Sequence, residues 1–146
     1  MKFRTEKEKW VWLAGLVEGE GCLGLYYKPK TSYRKTPYWD ARLTITNTSP
    51  LLIKTLKQLF GGWASTMKRP LKYRHKWRLL YQWVIAGKKL RKVLLKIRPY
   101  SLIKSKHIKL LLKIKSRKIK KGDKKIFQQI KQLNKRGKEI IRLNRN

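Results

Sequence analysis

The chain has 146 residues, and its 41% hydrophobic content suits one domain with a single modest core. Forty Lys and Arg against seven Asp and Glu give +33 at pH 7, a field that gathers polyanions, and each phosphate neutralised releases condensed counterions. No apolar run approaches the roughly 20 residues of a bilayer span, Cys22 alone makes no internal disulfide, and two histidines with one cysteine make no zinc site of the usual kind; nucleic acid is the expected partner, no membrane is expected, and the expected setting is a reducing interior, prokaryotic cytoplasm or organelle matrix.

The first predicted element is a helix from about Glu6 to Gly19. Trp10, Leu13, Ala14 and Val17, with Trp12 and Leu16, make it apolar on most of its circumference, so it is buried on two sides. Glu6 and Glu8 lie in the first turn, where acids complement the helix dipole. Gly15 and Gly19 lie four apart and leave one face bare, which lets another backbone approach closely. The segment has no second copy in the chain. A second subunit therefore fits that face better, with Trp12, Gly15, Leu16 and Gly19 as the expected homodimer interface.

Glu18 and Glu20 end the same helix, where acids oppose the dipole. A DNA-binding surface also disfavours them, unless a bound hard cation turns the local charge positive. From Gly21 to Lys28 the pattern changes to period two, and a basic loop covers Pro29 to Pro37. The next strand runs from Tyr38 to about Thr46. Trp39, Ala41, Leu43 and Ile45 face inward, and Tyr38, Asp40, Arg42, Thr44 and Thr46 face outward. That outward mixture of aromatic, cationic, acidic and hydroxyl groups suits base edges in a major groove.

Ser49-Pro50 opens a helix in N-cap and N1 positions, and Gly61-Gly62 closes it. Strands follow over Trp63 to Arg69 and Trp77 to Ala86, joined by the basic loop Pro70 to Lys76. The second of these carries Trp77, Leu79, Tyr81 and Trp83 on one face and Arg78, Leu80 and Gln82 on the other. Helices are predicted over Lys88 to Ile97, Ser101 to about Lys115 and roughly Asp123 to Leu143. Lys104 to Asn146 holds seventeen Lys and Arg against two acids, a composition equally suited to phosphate binding and to a solvated helix surface. The expected class is α+β, with a four-stranded antiparallel, saddle-like sheet, helices on one face and extra basic C-terminal helices. One domain spans residues 1–146, its core about 6–115 and its basic helical extension about 116–146.

The run Trp12-Leu13-Ala14-Gly15-Leu16-Val17-Glu18-Gly19-Glu20-Gly21 closely resembles the LAGLIDADG motif of homing endonucleases, and the αββαββα order after it resembles that fold. The resemblance covers about residues 6–115. It implies a site-specific endonuclease that hydrolyses both strands of a long pseudo-palindromic DNA target and promotes intron mobility, and one motif per chain implies a homodimer. By that resemblance Glu20 is the catalytic metal ligand, with the Gly19 carbonyl beside it, and Mg²⁺ is the cofactor, for which Mn²⁺ or Ca²⁺ can substitute in binding. Asn47 matches a water-positioning residue and Lys104 a catalytic lysine, while Glu18 supports the helix end. Base and phosphate contacts are expected from Tyr26, Lys28, Arg34, Tyr38, Asp40, Arg42, Thr44, Lys68, Arg78 and Gln82. Two departures stand out: the motif acids are Glu where Asp is commoner, and Leu51 occupies a position where small members tend to be basic. The competing readings are an intron RNA maturase, with intron RNA as a further partner, and a non-catalytic nucleic-acid binder.

Overall fold

The computed structural model describes residues 3–67 and 79–143, and of 136–143 the backbone alone. Helix α1 spans Glu6–Glu20, and the Thr5 side chain caps it by accepting the Glu8 amide at 3.1 Å. Leu13, Ala14 and Val17 are buried in the core. Trp10 and Trp12 lie 5.3 and 6.5 Å from the ring of Phe60, which in turn lies 6.3 Å from Trp83. The N-terminal helix is thus held by an aromatic cluster, whose edge and offset contacts add to the area they bury.

Four strands make one antiparallel sheet in the order β1-β2-β4-β3, formed by β1 (Gly21–Lys28), β2 (Tyr38–Asn47), β3 (Trp63–Thr66) and β4 (Tyr81–Ala86). Direct partners point to the same side, so register assigns the faces. Leu23, Leu43, Ile45, Trp83 and Ile85 form the core side and are almost wholly buried. Cys22, Gly24, Tyr26, Arg42, Thr44, Gln82 and Trp63 share the opposite side.

Helix α2 (Pro50–Phe60) begins at Ser49, whose hydroxyl accepts the Leu52 amide, and ends at Gly61 with φ +75. The next residue, Gly62, has φ +81, and a Cβ there would collide with the Val84 carbonyl. Glycine is required at this turn for both reasons. Helix α3 (Gly87–Ile97) follows β4 directly, then a 3₁₀ turn at Arg98–Tyr100, α4 (Ser105–Lys113) and α5 (Asp123–Leu143).

Three boundaries differ from the sequence reading. Strand β3 ends at Thr66, short of Arg69. Strand β4 begins at Tyr81, with Leu79 and Leu80 outside it; Trp77 and Arg78 lie outside the described residues, as does Lys68. The helix expected from Ser101 begins at Ser105, because the amides of Ile103 and Lys104 donate to the Glu18 carboxylate instead of standing at a helix start.

The C-terminal helix belongs to the core it covers. Ile130 is 2% exposed, Phe127 lies 5.1 Å from Trp39, and Asn134 donates to the Leu23 carbonyl at 3.3 Å. Before it, the Trp39 amide donates to the Arg117 carbonyl at 2.9 Å, and Tyr38 bridges Lys118. The segment around Arg117 therefore continues the sheet beside β2, where β4 has already turned into α3. No helix among the described residues is long and apolar enough to cross a membrane.

His107 ties α4 to α5. Its Nε2 lies 3.1 Å from Oδ1 of Asn134; since that oxygen only accepts, Nε2 carries the proton and Nδ1 is bare, buried and without a partner among the described residues. Burial holds its pKa below the ordinary 6.5, aided by the nearby Lys104 charge and opposed by the Asn134 hydrogen bond and by Glu18. The unfolded chain then takes up the proton first as pH falls, so this group costs stability only below about pH 6.5. Tm is expected to be level from pH 8 to 7 and to drop below pH 6.5, and thermal melts of His107→Gln should lack that part of the drop.

Candidate functional site

The site grows from the end of α1. At Gly21 the chain passes from helix to strand without a loop, with φ −74 and ψ 134. A Cβ on Gly21 would lie 2.6 Å from the Val17 carbonyl oxygen, the same oxygen that accepts the Gly21 amide. Only glycine allows so abrupt a change. The junction fixes two carboxylates, Glu18 and Glu20, within one turn of each other at the edge of the sheet.

Their partners differ. Glu18 Oε2 accepts the Ile103 amide at 2.6 Å and Oε1 accepts the Lys104 amide at 3.1 Å. A charged acceptor bound to two backbone donors is a strong anchor, and it fixes the backbone of Lys104 beside the motif. Glu20 is exposed. Its Oε2 accepts Nδ2 of Asn47 at 2.8 Å, across 27 residues of sequence. Asn47 ends β2, and its Oδ1 accepts the Ser49 amide at 2.8 Å. The amide is thereby fixed in orientation: oxygen toward Ser49, nitrogen toward Glu20. Glu20, Asn47 and Ser49 form one chain of hydrogen bonds from α1 through β2 to the start of α2.

Of the three residues singled out for catalysis, the fold therefore joins Glu20 to Asn47 directly and brings the Lys104 backbone to their neighbour Glu18. The sequence marks Ser49 as a helix cap, and in the structure its amide also sets the face of Asn47. The spacing Asn47-x-Ser49 was the available signal.

Gly15 and Gly19 open outward. A Cβ added at either meets nothing within 4 Å. Val11 on the same helix is 44% exposed, while Leu16 and Trp12 are half-buried. Trp12 packs within the chain, against Phe60 and against Phe3 at 5.6 Å.

The open face of the sheet carries the other expected contacts. Tyr26 is 42% exposed, Lys28, Tyr38, Thr44 and Gln82 are half-buried, and Arg34 is exposed in the basic loop with its guanidinium 4.2 Å above the Tyr38 ring. Asp40 differs from these: it is 3% exposed and paired with Arg42 at 2.6 Å and Arg117 at 3.8 Å. The Tyr26 phenol is pushed above its usual pKa, first by burial and then by Cys22 and Asp40, with Arg42 pulling the other way. Trp63 and Arg117 join this surface, and neither had a sequence signal that set it apart from the other Trp and Arg residues.

Among the described residues, no group of three or more His, Cys, Asp or Glu side chains lies close enough to hold a metal ion. The end of α1 offers the Glu20 carboxylate and the Gly19 carbonyl. These are oxygen donors, as a hard divalent ion requires, but too few to enclose one. Further oxygen donors from outside the described residues would have to complete the shell of such an ion.

Glutamine at position 18 keeps one acceptor oxygen and gains a donor, so one of the two amides must lose its partner. Glu18→Gln is expected to cost about 1–2 kcal/mol, or a Tm lower by roughly 2–8 °C at this chain length. Amide hydrogen exchange at Ile103 and Lys104 should quicken; unchanged exchange there would mean that the anchor contributes nothing in solution.

No family model matches the chain, and no curated protein does. Solved structures do match. The homing endonuclease I-CvuI, in complex with a DNA target, superposes with a TM-score of 0.59 and 23% identity over 74% of this chain and 66% of its own. The archaeal intron-encoded homing endonuclease I-Vdi141I, complexed with DNA, gives 0.54 and 15% identity over 89% of this chain and 99% of its own. The LAGLIDADG meganuclease I-CpaMI, bound to uncleaved DNA, gives 0.55 and 17% over 71% and 34%. The matched part of this chain thus spans just under two thirds of I-CvuI and about a third of I-CpaMI. The chain has the fold of the LAGLIDADG homing endonucleases.

Proposed function

We propose that this chain, built on the LAGLIDADG homing-endonuclease fold, is a member of that family that works as a homodimer, hydrolysing both strands of a long pseudo-palindromic DNA site in the presence of Mg²⁺. The observation that carries the reading is the Glu20–Asn47 pair at the end of α1, held at 2.8 Å on an exposed edge beside an open sheet. A chain of +33 net charge that keeps an exposed carboxylate at its motif needs a reason for it, and a divalent ion opposite phosphate supplies one. The DNA complexes of I-CvuI, I-Vdi141I and I-CpaMI support double-stranded DNA as the partner, and the I-CvuI complexes prepared with Mg or Ca support a divalent ion. Intron mobility is the biological role that accords with the intron-encoded origin of I-Vdi141I.

In this reading Glu20 of each subunit, with the Gly19 carbonyl, holds the ion beside the dyad. A divalent ion held there would supply Lewis acidity and a more acidic water. Asn47 keeps Oε2 of Glu20 engaged and leaves Oε1 for the cation, while its own orientation is fixed by Ser49. Lys104 brings positive charge toward the phosphate as negative charge develops in the transition state. Tyr26, Lys28, Arg34, Tyr38, Thr44 and Gln82 contact bases and phosphates in the major groove, joined by Lys68 and Arg78.

Glu20→Gln removes the charge but can retain the bond from Asn47. It is expected to bind duplex DNA with unchanged affinity in Ca²⁺ and to lose Mg²⁺-dependent cleavage by about 10²–10³-fold, a scale set by removing one strong transition-state stabiliser. Cleavage surviving this change, measured on the intronless form of the host locus, would refute the assignment.

The dimer reading has its own control. A methyl at Gly15 meets nothing within 4 Å in the monomer and raises helix propensity by about 1 kcal/mol, so Gly15→Ala should keep the monomer folded while loosening the dimer. Gly15→Leu should shift sedimentation from dimer to monomer and abolish cutting of both strands. Sedimentation as a dimer in Gly15→Leu would send the search for the interface elsewhere.

A further inference from the structure

The buried Asp40 has no simple place among groups that touch DNA. It lies on the open face of β2 yet is 3% exposed, and both of its close partners are arginines. The Arg42 Nε–H donates to Oδ2 of Asp40 at 2.8 Å, and Nη2 lies 2.6 Å from the same oxygen. One side edge of the guanidinium is therefore committed to Asp40. The Arg117 guanidinium approaches the other oxygen at 3.8 Å from the C-terminal segment that extends the sheet.

The rest of the surroundings hold Arg42 in the same pose. The Tyr26 ring lies 5.8 Å from its guanidinium carbon and the Trp63 ring 5.6 Å. Directly across the strands from Arg42 are Gly24 and Ala86, so neither neighbour crowds it. The Tyr26 side chain folds back over Gly24, its hydroxyl 2.7 Å from where a Cβ would stand. Even so, the Arg42 side chain keeps 33% of its surface open. It is thus held by Asp40, close to two rings and still partly open to solvent.

A guanidinium has five N–H donors in a rigid plane. Asp40 engages the Nε–Nη2 edge, which leaves the end formed by Nη1 and the outer Nη2 hydrogen. That end presents two parallel donors. In a major groove, guanine alone offers two acceptors side by side, N7 and O6; adenine pairs an acceptor with a donor, thymine an acceptor with a methyl, and cytosine a donor. We propose that Arg42, held by Asp40 beside Tyr26 and Trp63, is a preorganised guanine reader, used once in each half-site, and that Asp40 is its positioning residue and touches no base. The inference rests on the DNA-endonuclease reading. Fixing the fork before binding removes the rotamer entropy a free arginine would lose, so the contact discriminates rather than merely attracts.

The test selects bound sequences from a pool of randomised duplexes in Ca²⁺ with the full chain and with Arg42→Ala, Arg42→Lys and Asp40→Asn, each first checked for an unchanged melt. The parent should select a motif holding a guanine at symmetry-related positions, where replacement costs about tenfold to a hundredfold. Arg42→Ala should make those positions degenerate and leave the others intact. Arg42→Lys keeps the charge without the fork, so it should lose the same preference while the salt slope stays constant. Asp40→Asn should weaken that preference alone. An even loss of affinity across all sequences, with a salt slope smaller by about one in Arg42→Ala, would make Arg42 a phosphate contact and overturn the proposal. Unchanged preferences in Arg42→Ala would overturn it too. A parent chain that selects no sequence at all would defeat the endonuclease reading itself, and this proposal with it.

Discussion

The structure turns on the few atoms around Gly21. Because that residue has no Cβ, α1 can hand its chain straight into β1 with the Val17 carbonyl closing over the junction. A connecting loop would have set Glu18 and Glu20 adrift from the sheet. Instead, one carboxylate is fixed to the start of α4 and the other to the end of β2. The helix end thereby acts as a splice between three parts of the chain that are far apart in sequence. A helix C-terminus is electrostatically a poor place for two acids, and here the cost is offset by amide donors aimed at both of them.

Much of this was legible beforehand, because its signals are local. Strand β2 alternates cleanly, so Leu43 and Ile45 on one side and Arg42 and Thr44 on the other could be assigned from period two alone. Ser49-Pro50 and Gly61-Gly62 bracket α2 by backbone chemistry that needs no tertiary context. The bare stripe of Gly15 and Gly19 is likewise a matter of helical spacing. The nine-residue motif at the end of α1 singles out Glu20 by sequence alone.

What could not be read depended on partners remote in sequence. Nothing near Lys104 announces that its amide answers to Glu18, so the start of α4 was expected four residues too early. Asp40 alternates outward like any ligand-facing residue, and only the approach of Arg117 reveals how deeply it is enclosed. The composition of the C-terminal helix told the same partial story. Its lysines gave no indication that Ile130 and Asn134 reach β1 and the core. Charge counts report the solvated side of a helix, and a few apolar positions decide where its other side goes.

The segment at Arg117 and Lys118 has a consequence for how the protein is made. It covers the stretch of β2 that β4 leaves unpaired, and α5 then packs behind β1. A ribosome delivers these pieces after the strands they cover. Until they emerge, the nascent chain presents a short run of β2 backbone with unsatisfied hydrogen bonds and an uncovered apolar back to β1, both of which are templates for pairing with other chains. The strong positive charge then acts as a guardian, since like-charged nascent chains repel one another through that interval.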